Sequence, residues 1–186
     1  MRSQHQISIT IPIPSHVPPE VVLAHIQTYT PTLRHNSIVV GFFETPPNIE
    51  LVHSDPFFGP ADGTVRSFET CERLALAPGL TRERKWPATF QSTANGIRCR
   101  ADAAAGVTAR AEWVVRPRQD ADTPSSTGTL VEEWELHVDV LTEGNSLLMP
   151  FISRTAEKVH RQISNNVLEE AVENYMRDGN HQMSLC

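Results

Sequence analysis

Three ionisable side chains fall on otherwise apolar faces of the predicted secondary structure: Glu72, Glu132 and His160. Glu72 shares alternate strand positions with Phe68, and Glu132 shares them with Trp134. His160 borders the apolar stripe of a long helix. A carboxylate or imidazole in apolar surroundings has a shifted pKa, which suits general acid–base catalysis.

Each of these groups also has a purely structural interpretation. Glu132 stands at the end of a strand, where water would solvate it. Glu72 would pair with Arg73 or with a neighbouring strand, and His160 would be a hydrogen-bonded histidine of the core. The sequence therefore predicts three candidate catalytic residues and leaves the structural alternative open for each.

Other kinds of catalysis find no support in the sequence. It contains no GxSxG, GxxxxGK[ST], GxGxxG or HExxH motif. Its eight histidines do not pair with Asp, Glu or Cys at the spacing of a metal site. The nearest approach is His-Ser-Asp at 53–55, inside a proline-rich segment. We predict no metal and no cofactor.

The elements that must position these groups follow from hydrophobic periodicity. Period-two alternation predicts a first strand over 6–14, and a short helix follows over 16–29 with Pro18 and Pro19 at its start. Further strands are predicted at 37–45, 64–76, 81–93, 97–103, 107–117 and 130–141. A long helix with an apolar stripe runs from 147 to about 178. Consecutive strands with hairpin turns indicate an antiparallel sheet.

We therefore predict an α+β helix-grip fold. A curved antiparallel sheet of about six to seven strands wraps round the long C-terminal helix, and a short helix follows the first strand. Residues 1–186 are expected to form one domain, with flexible loops at about 45–63 and 117–129 and a frayed tail at 178–186.

Alternation also assigns the two faces of the sheet. One face combines bulky residues such as Trp113 and Trp134 with small ones such as Ala101, Ala109 and Ala111, so it either lets the helix pack closely or leaves a cavity. The other face carries arginines against carboxylates. We interpret it as a solvated face with a cross-strand charge ladder.

Aromatic side chains and the start of the long helix supply candidate ligand contacts. The 45–63 connection is expected to be irregular and to expose Phe57 and Phe58. Aromatic rings could stack on a flat ligand, or they could simply fill the core. The apolar first turns of the long helix would line one end of a cavity. The candidates are Tyr29, Phe57, Phe58, Phe68, Trp86, Trp113, Trp134, Leu148, Met149, Phe151, Ile152 and Thr155.

Composition narrows the partners. The net charge is −6 and there is no Lys/Arg run, so nucleic acid is not an expected partner. No apolar run reaches the ~20 residues of a membrane span, and the N-terminus has no signal-peptide pattern. The three cysteines form no CxxC and indicate free thiols in a reducing, cytoplasmic setting. The sequence leaves a homodimer open.

The order of elements resembles the START-like superfamily, also called SRPBCC or Bet v 1-like helix-grip proteins. The first strand (ISITIPIP), the short helix (PEVVLAHIQTY), the strands from 64 to 141 and the closing helix (LLMPFISRTAEKVHRQISNNVLEEAVENY) carry the resemblance, which covers nearly the whole chain. The sequence is also similar to fungal members of unknown function. It departs from the plant-allergen branch, whose phosphate-loop-like glycine run is absent, and it has no iron–sulfur domain.

The resemblance implies an internal apolar cavity that binds a lipid, a sterol or a polyketide. It also implies a cofactor-free cyclase, or a related isomerase or lyase, acting on a polyketide- or terpenoid-like intermediate of secondary metabolism. Two alternatives remain. One is a non-catalytic carrier or sensor of a hydrophobic ligand, and the other is a partner-binding module that uses Phe57, Phe58 and the 45–63 connection.

Overall fold

The computed structural model of the chain describes residues 1–77, 80–103, 106–118, 133–147 and 149–183. Seven strands and four helices follow one another along it. The strands are β1 (Arg2–Ile13), β2 (Val39–Thr45), β3 (Arg66–Ala77), β4 (Leu80–Thr93), β5 (Gly96–Ala103), β6 (Val107–Pro117) and β7 (Trp134–Asn145). The helices are α1 (Pro19–Ile26), α2 (Thr30–Arg34), α3 (Ile49–Ser54) and α4 (Met149–Met183).

The strands form one antiparallel sheet in the order β1-β7-β6-β5-β4-β3-β2. Consecutive strands from β2 to β7 are neighbours, as hairpin connections require, and β1 closes the order beside β7. The 35-residue helix α4 packs on one face, and α1 follows β1 directly. The predicted α+β helix-grip fold is therefore confirmed. Within the described residues, no helix is both long and apolar enough to cross a bilayer.

The face of the sheet toward α4 carries the main core, as the alternation predicted. Ile9, Phe90, Leu136 and Val138 are fully buried in it. The stripe of α4 that meets this face includes Ile163, Ser164, Val167, Leu168 and Ala171. Ile163, Val167 and Ala171 recur every four positions, with Ser164 and Leu168 beside them, which is the pattern of one helical face.

The start of α4 follows its local sequence. The side chain of Asn145 accepts a hydrogen bond from the backbone N–H of Leu147, and Pro150 is the second helical residue, where its missing N–H leaves no hydrogen bond unmade. Leu147 is 79% exposed, so it does not line the core. The helix continues to Met183, beyond residue 178, where we expected the tail to fray.

Part of the face of the sheet away from α4 is covered, whereas we expected the whole face to be solvated. The connection 46–65 contains α3 and packs on this face, with Val52, Phe58 and Val65 buried in a second apolar cluster. Gln91 of β4 binds the connection twice, through the Gly59 N–H and the Pro60 carbonyl. The prediction of an irregular loop with an exposed Phe58 was wrong. The prolines of this segment indicated a loop, but six of its residues form α3, and Phe58 packs on the sheet. Of the second predicted loop, residues 119–129 lie outside the described part.

A buried charge cluster fixes this connection to the sheet. Asp55 is 5% exposed, and its Oδ2 accepts hydrogen bonds from Arg100 at 2.7 Å and from Arg110 at 2.8 Å. Burial opposes ionisation of Asp55, but the N–H of Phe57 and the two guanidinium groups hold the pKa of this carboxyl below its usual value. Other pairs of the predicted ladder form as well, including Arg116 with Glu135.

Candidate functional site

A small cavity lies between α4, α2 and the middle of the sheet. Its volume is about 70 Å³. Its floor consists of alanines at paired positions on three adjacent strands, where Ala88 pairs with Ala101 and Ala101 pairs with Ala109. Ala111, two residues beyond Ala109 on the same face of β6, extends the floor. Strands stand roughly 4.8 Å apart, so the row of alanine methyl groups is about 10 Å wide.

Aromatic side chains wall the cavity. Trp86 and Trp113 are both nearly buried and line it together with Phe90. Two of the predicted aromatic contacts therefore lie at the cavity. The alanines are short and the aromatic residues beside them are large. The space above the alanines is therefore a narrow slot with aromatic rings at its sides.

The remaining walls come from helices. Thr32 and Leu33 of α2, with Asn36 just after it, close one side, while His160 and Ile163 of α4 form the side opposite the floor. Sequence analysis missed the contribution of α2, because it ended the short helix at residue 29 and assigned no element to the residues that follow. Proline in the first turn of a helix was the available signal.

His160 is the candidate catalytic residue that the structure places on the cavity wall. Burial lowers the pKa of its imidazole to about 4. The side chain is therefore neutral at pH 7, with one ring nitrogen as hydrogen-bond donor and the other as acceptor. A neutral imidazole in an apolar slot can orient a carbonyl or hydroxyl group, although with this pKa it is a weak base.

Glu72 is buried and contacts Trp86, a residue that lines the cavity. Glu72 is 4% exposed, and its carboxylate accepts a hydrogen bond from Trp86 Nε1 at 3.1 Å. Glu72 does not line the cavity, whereas the indole that it holds does. The structure thus favours the interpretation that Glu72 pairs with a neighbouring strand. We assign it to positioning of Trp86.

Cys99 is the thiol on the cavity floor. Burial raises its pKa to about 12, so the thiol stays protonated and is not a nucleophile at neutral pH. Cys71 and Cys99 are both free, as predicted, and Cys186 lies outside the described residues.

Several predicted contact residues lie away from the cavity. Tyr29 stacks on Phe90 from behind, with ring centroids 5.2 Å apart, and Phe68 meets Phe90 edge-on at 5.6 Å. Trp134 lies beside Ile13 and Pro14 at the end of β1, and Met149 is buried without lining the cavity.

The structure also separates Phe57 and Phe58 from the cavity. Both lie on the opposite face of the sheet, where Phe58 is buried and the guanidinium of Arg98 stands over the Phe57 ring at 5.8 Å. Phe58 is buried there and Phe57 is half-buried, so neither side chain lines the cavity as we predicted.

Five predicted site residues cannot be placed at the side-chain level. Glu132 and Leu148 lie outside the described residues. Phe151, Ile152 and Thr155 belong to α4, and their side chains lie outside the described part of the structure.

Several solved structures share this arrangement of a sheet and a long helix. TTHA0849 from Thermus thermophilus is 12% identical, with a TM-score of 0.54 over 92% of this chain and 99% of that chain. The Zhui aromatase/cyclase from Streptomyces sp. R1128 is 11% identical, with a TM-score of 0.57 over 94% of this chain and 96% of that chain. The di-domain ARO/CYC StfQ from the steffimycin biosynthetic pathway is 8% identical, with a TM-score of 0.57. The match covers 92% of this chain and 52% of StfQ, so this chain spans about half of that protein.

These similarities and the gripped helix define a START-like, or SRPBCC, fold, as the element order predicted. Identities this low establish the fold and leave the activity open. The sequence profile of the domain of unknown function DUF7053 matches residues 2–173, and the chain belongs to that family. No curated protein matches the sequence.

Proposed function

We propose that the protein binds a flat, hydrophobic small molecule between α4 and the alanine floor, and that residues 1–186 form one ligand-binding domain. The observation that carries this proposal is the set of paired alanines on β4, β5 and β6, bounded by Trp86 and Trp113. A core that served stability alone would fill the space over these alanines, because a void costs packing energy. The apolar lining of the slot and the indoles at its sides match the chemistry of an aromatic ring system.

The polar lining indicates where the ligand carries oxygen. His160 and Asn36 are polar residues on the helical side of the slot, facing an apolar floor. Small-molecule sites are commonly apolar with few polar groups that fix orientation. A phenol or ring ketone, with one polar edge toward α4 and its flat face on the alanines, matches this distribution.

Filling the slot should abolish binding. Ala109→Leu adds an isopropyl group directly over the floor, and we expect it to weaken binding of 1-hydroxyanthraquinone at least tenfold by occupying the space of the ring. Quenching of the fluorescence of Trp86 and Trp113 in a titration measures the affinity. The matched control is Ala24→Leu on the exposed side of α1, which should bind like the parent protein. Equal affinity for Ala109→Leu and Ala24→Leu would show that the ligand binds elsewhere.

A cofactor-free cyclase acting on a polyketide-like intermediate is the second candidate function. His160 on the cavity wall favours it, and aromatase/cyclases are among the proteins with a similar fold. A slot of this kind would fold a flexible chain and exclude water while an imidazole aligns a carbonyl for ring closure.

Turnover separates an enzyme from a carrier. A carrier or sensor returns a linear poly-β-carbonyl compound unchanged after incubation, whereas a cyclase converts it into a ring product that absorbs at longer wavelength. Mass spectrometry of the mixture distinguishes the two, since aldol closure followed by dehydration lowers the mass by one water.

A further inference from the structure

The cavity is too small for the ligand that its lining fits. About 70 Å³ holds roughly two water molecules, whereas pockets for drug-sized ligands measure roughly 300–1,000 Å³. One wall must therefore move when a ring system binds. The floor belongs to a continuously hydrogen-bonded sheet, and Ile163 belongs to a helix of 35 residues. The third described wall, α2, has five residues and is the element that can move at least cost.

The N-terminal end of α2 is anchored. Tyr29 Oη bonds the carbonyl of Thr64 and the hydroxyl of Ser92, each at 2.7 Å. The same ring stacks on Phe90. Tyr29 has φ of 65°, a left-handed conformation that is uncommon for a bulky residue and indicates local strain held by its surroundings. This end of α2 is a fixed pivot.

The polar side-chain contacts at the C-terminal end of α2 converge on one carboxylate. Glu170 of α4 accepts hydrogen bonds from Arg34 and from His35, whose Nε2 lies 2.7 Å from Glu170 Oε2. His25 of α1 faces the same carboxylate at 3.6 Å. Burial opposes ionisation of Glu170, but the bonds from Arg34 and His35 hold its pKa below the usual value.

The contacts of Glu170 with Arg34 and His35 stabilise the closed position of α2, but they are partly exposed to water. The Arg34 side chain is 48% exposed and that of Glu170 is 25% exposed, so water screens the ion pair. Opening exposes Pro31, Thr32 and Leu33, the three buried residues of α2. A five-residue segment that buries so few side chains opens by local fluctuation more often than the centre of the sheet does.

We propose that α2 is the movable wall of the cavity and that Glu170 is its latch. When the latch opens, α2 pivots about Tyr29 and carries Thr32, Leu33 and Asn36 away from the floor. The ring system then enters between α2 and α4. This inference rests on the proposed function, because α2 would move to admit the ligand. The motion of α2 itself can be measured without any ligand.

The test compares Glu170→Gln with Glu169→Gln, an exposed neighbour on the same helix. The first readout is hydrogen exchange of the ligand-free protein at the amides of Thr32, His35 and Asn36, which are bonded within the α2 turn. We expect exchange to accelerate about fivefold in Glu170→Gln and to stay unchanged in Glu169→Gln. Arg34→Gln should accelerate it in the same direction.

The second readout is the association rate of 1-hydroxyanthraquinone by stopped-flow fluorescence, which should rise by a similar factor in Glu170→Gln. Unchanged exchange in α2, or faster exchange in α4 instead, would overturn the latch. Faster exchange with an unchanged association rate would show that α2 moves but does not admit the ligand, which also overturns the proposal. If exchange accelerates and no variant binds the probe, the proposed function fails for this ligand class, and the role of α2 in admitting it is overturned as well.

Discussion

Acidification from pH 7 to pH 4 is expected to remove up to about 3 kcal/mol of stability through His160 alone. An unfolded chain protonates this histidine near pH 6.5, whereas the folded protein does so only near pH 4 because burial disfavours the charged imidazole. Between these values the unfolded state binds one more proton than the folded state does. The free energy of unfolding therefore falls as the pH falls, by up to about 1.4 kcal/mol per pH unit.

Urea unfolding of His160→Gln measures this contribution. Glutamine does not titrate, so the stability of the variant relative to the parent protein should rise by up to about 3 kcal/mol as the pH is lowered from 7 to 4. His53→Gln is the control, because His53 is exposed on α3 and its removal should leave that pH dependence in place. A stability difference between His160→Gln and the parent protein that is constant across this range would show that His160 is not buried in the folded protein.

Removal of the Asp55 carboxylate is expected to have the second large effect. Asp55→Ala leaves Arg100 and Arg110 facing each other at the sheet surface, each less than a fifth exposed. Removing one partner of a buried ion pair is strongly destabilising, because the remaining charge stays buried without a counter-charge. Because both arginines keep second partners in Asp102 and Glu143, we expect a loss of about 2–3 kcal/mol.

The comparison for Asp55 is an exposed ion pair on the same sheet. Glu69 pairs with Lys85, whose side chain is 62% exposed, and Glu69→Ala should cost less than about 1 kcal/mol. Equal losses for Asp55→Ala and Glu69→Ala in thermal or urea unfolding would mean that the 46–65 connection is not fixed to the sheet by Asp55.

The fold was predictable because strand alternation is a strong signal. Ala109, Ala111 and Trp113 were assigned to the helix-facing side from their spacing alone, and the register of β6 against β7 confirms that side. The alanines were also recognised as the place where a cavity could form. The alternation of apolar and polar residues shows which side of each strand faces the helix. The small residues on that side give the position of the alanine floor.

Residues that depend on tertiary contacts were harder to predict. The arginines of β5 and β6 look the same in sequence whether water or Asp55 neutralises them, so the covered outer face could not be inferred from the strands. Glu72 has the same pattern whether it faces a ligand or the N–H of Trp86. A five-residue helix such as α2 is too short to show a period, which is why Thr32 and Leu33 were missed.

The central claim is that a flat hydrophobic molecule binds on the alanine floor, and the methyl groups of that floor can report it directly. The measurement is a methyl NMR titration of alanine-labelled protein with 1-hydroxyanthraquinone. We predict saturable ring-current shifts at Ala88, Ala101, Ala109 and Ala111, with no shift at Ala24. Saturable binding that moves other methyl groups and leaves these four unchanged would contradict the claim.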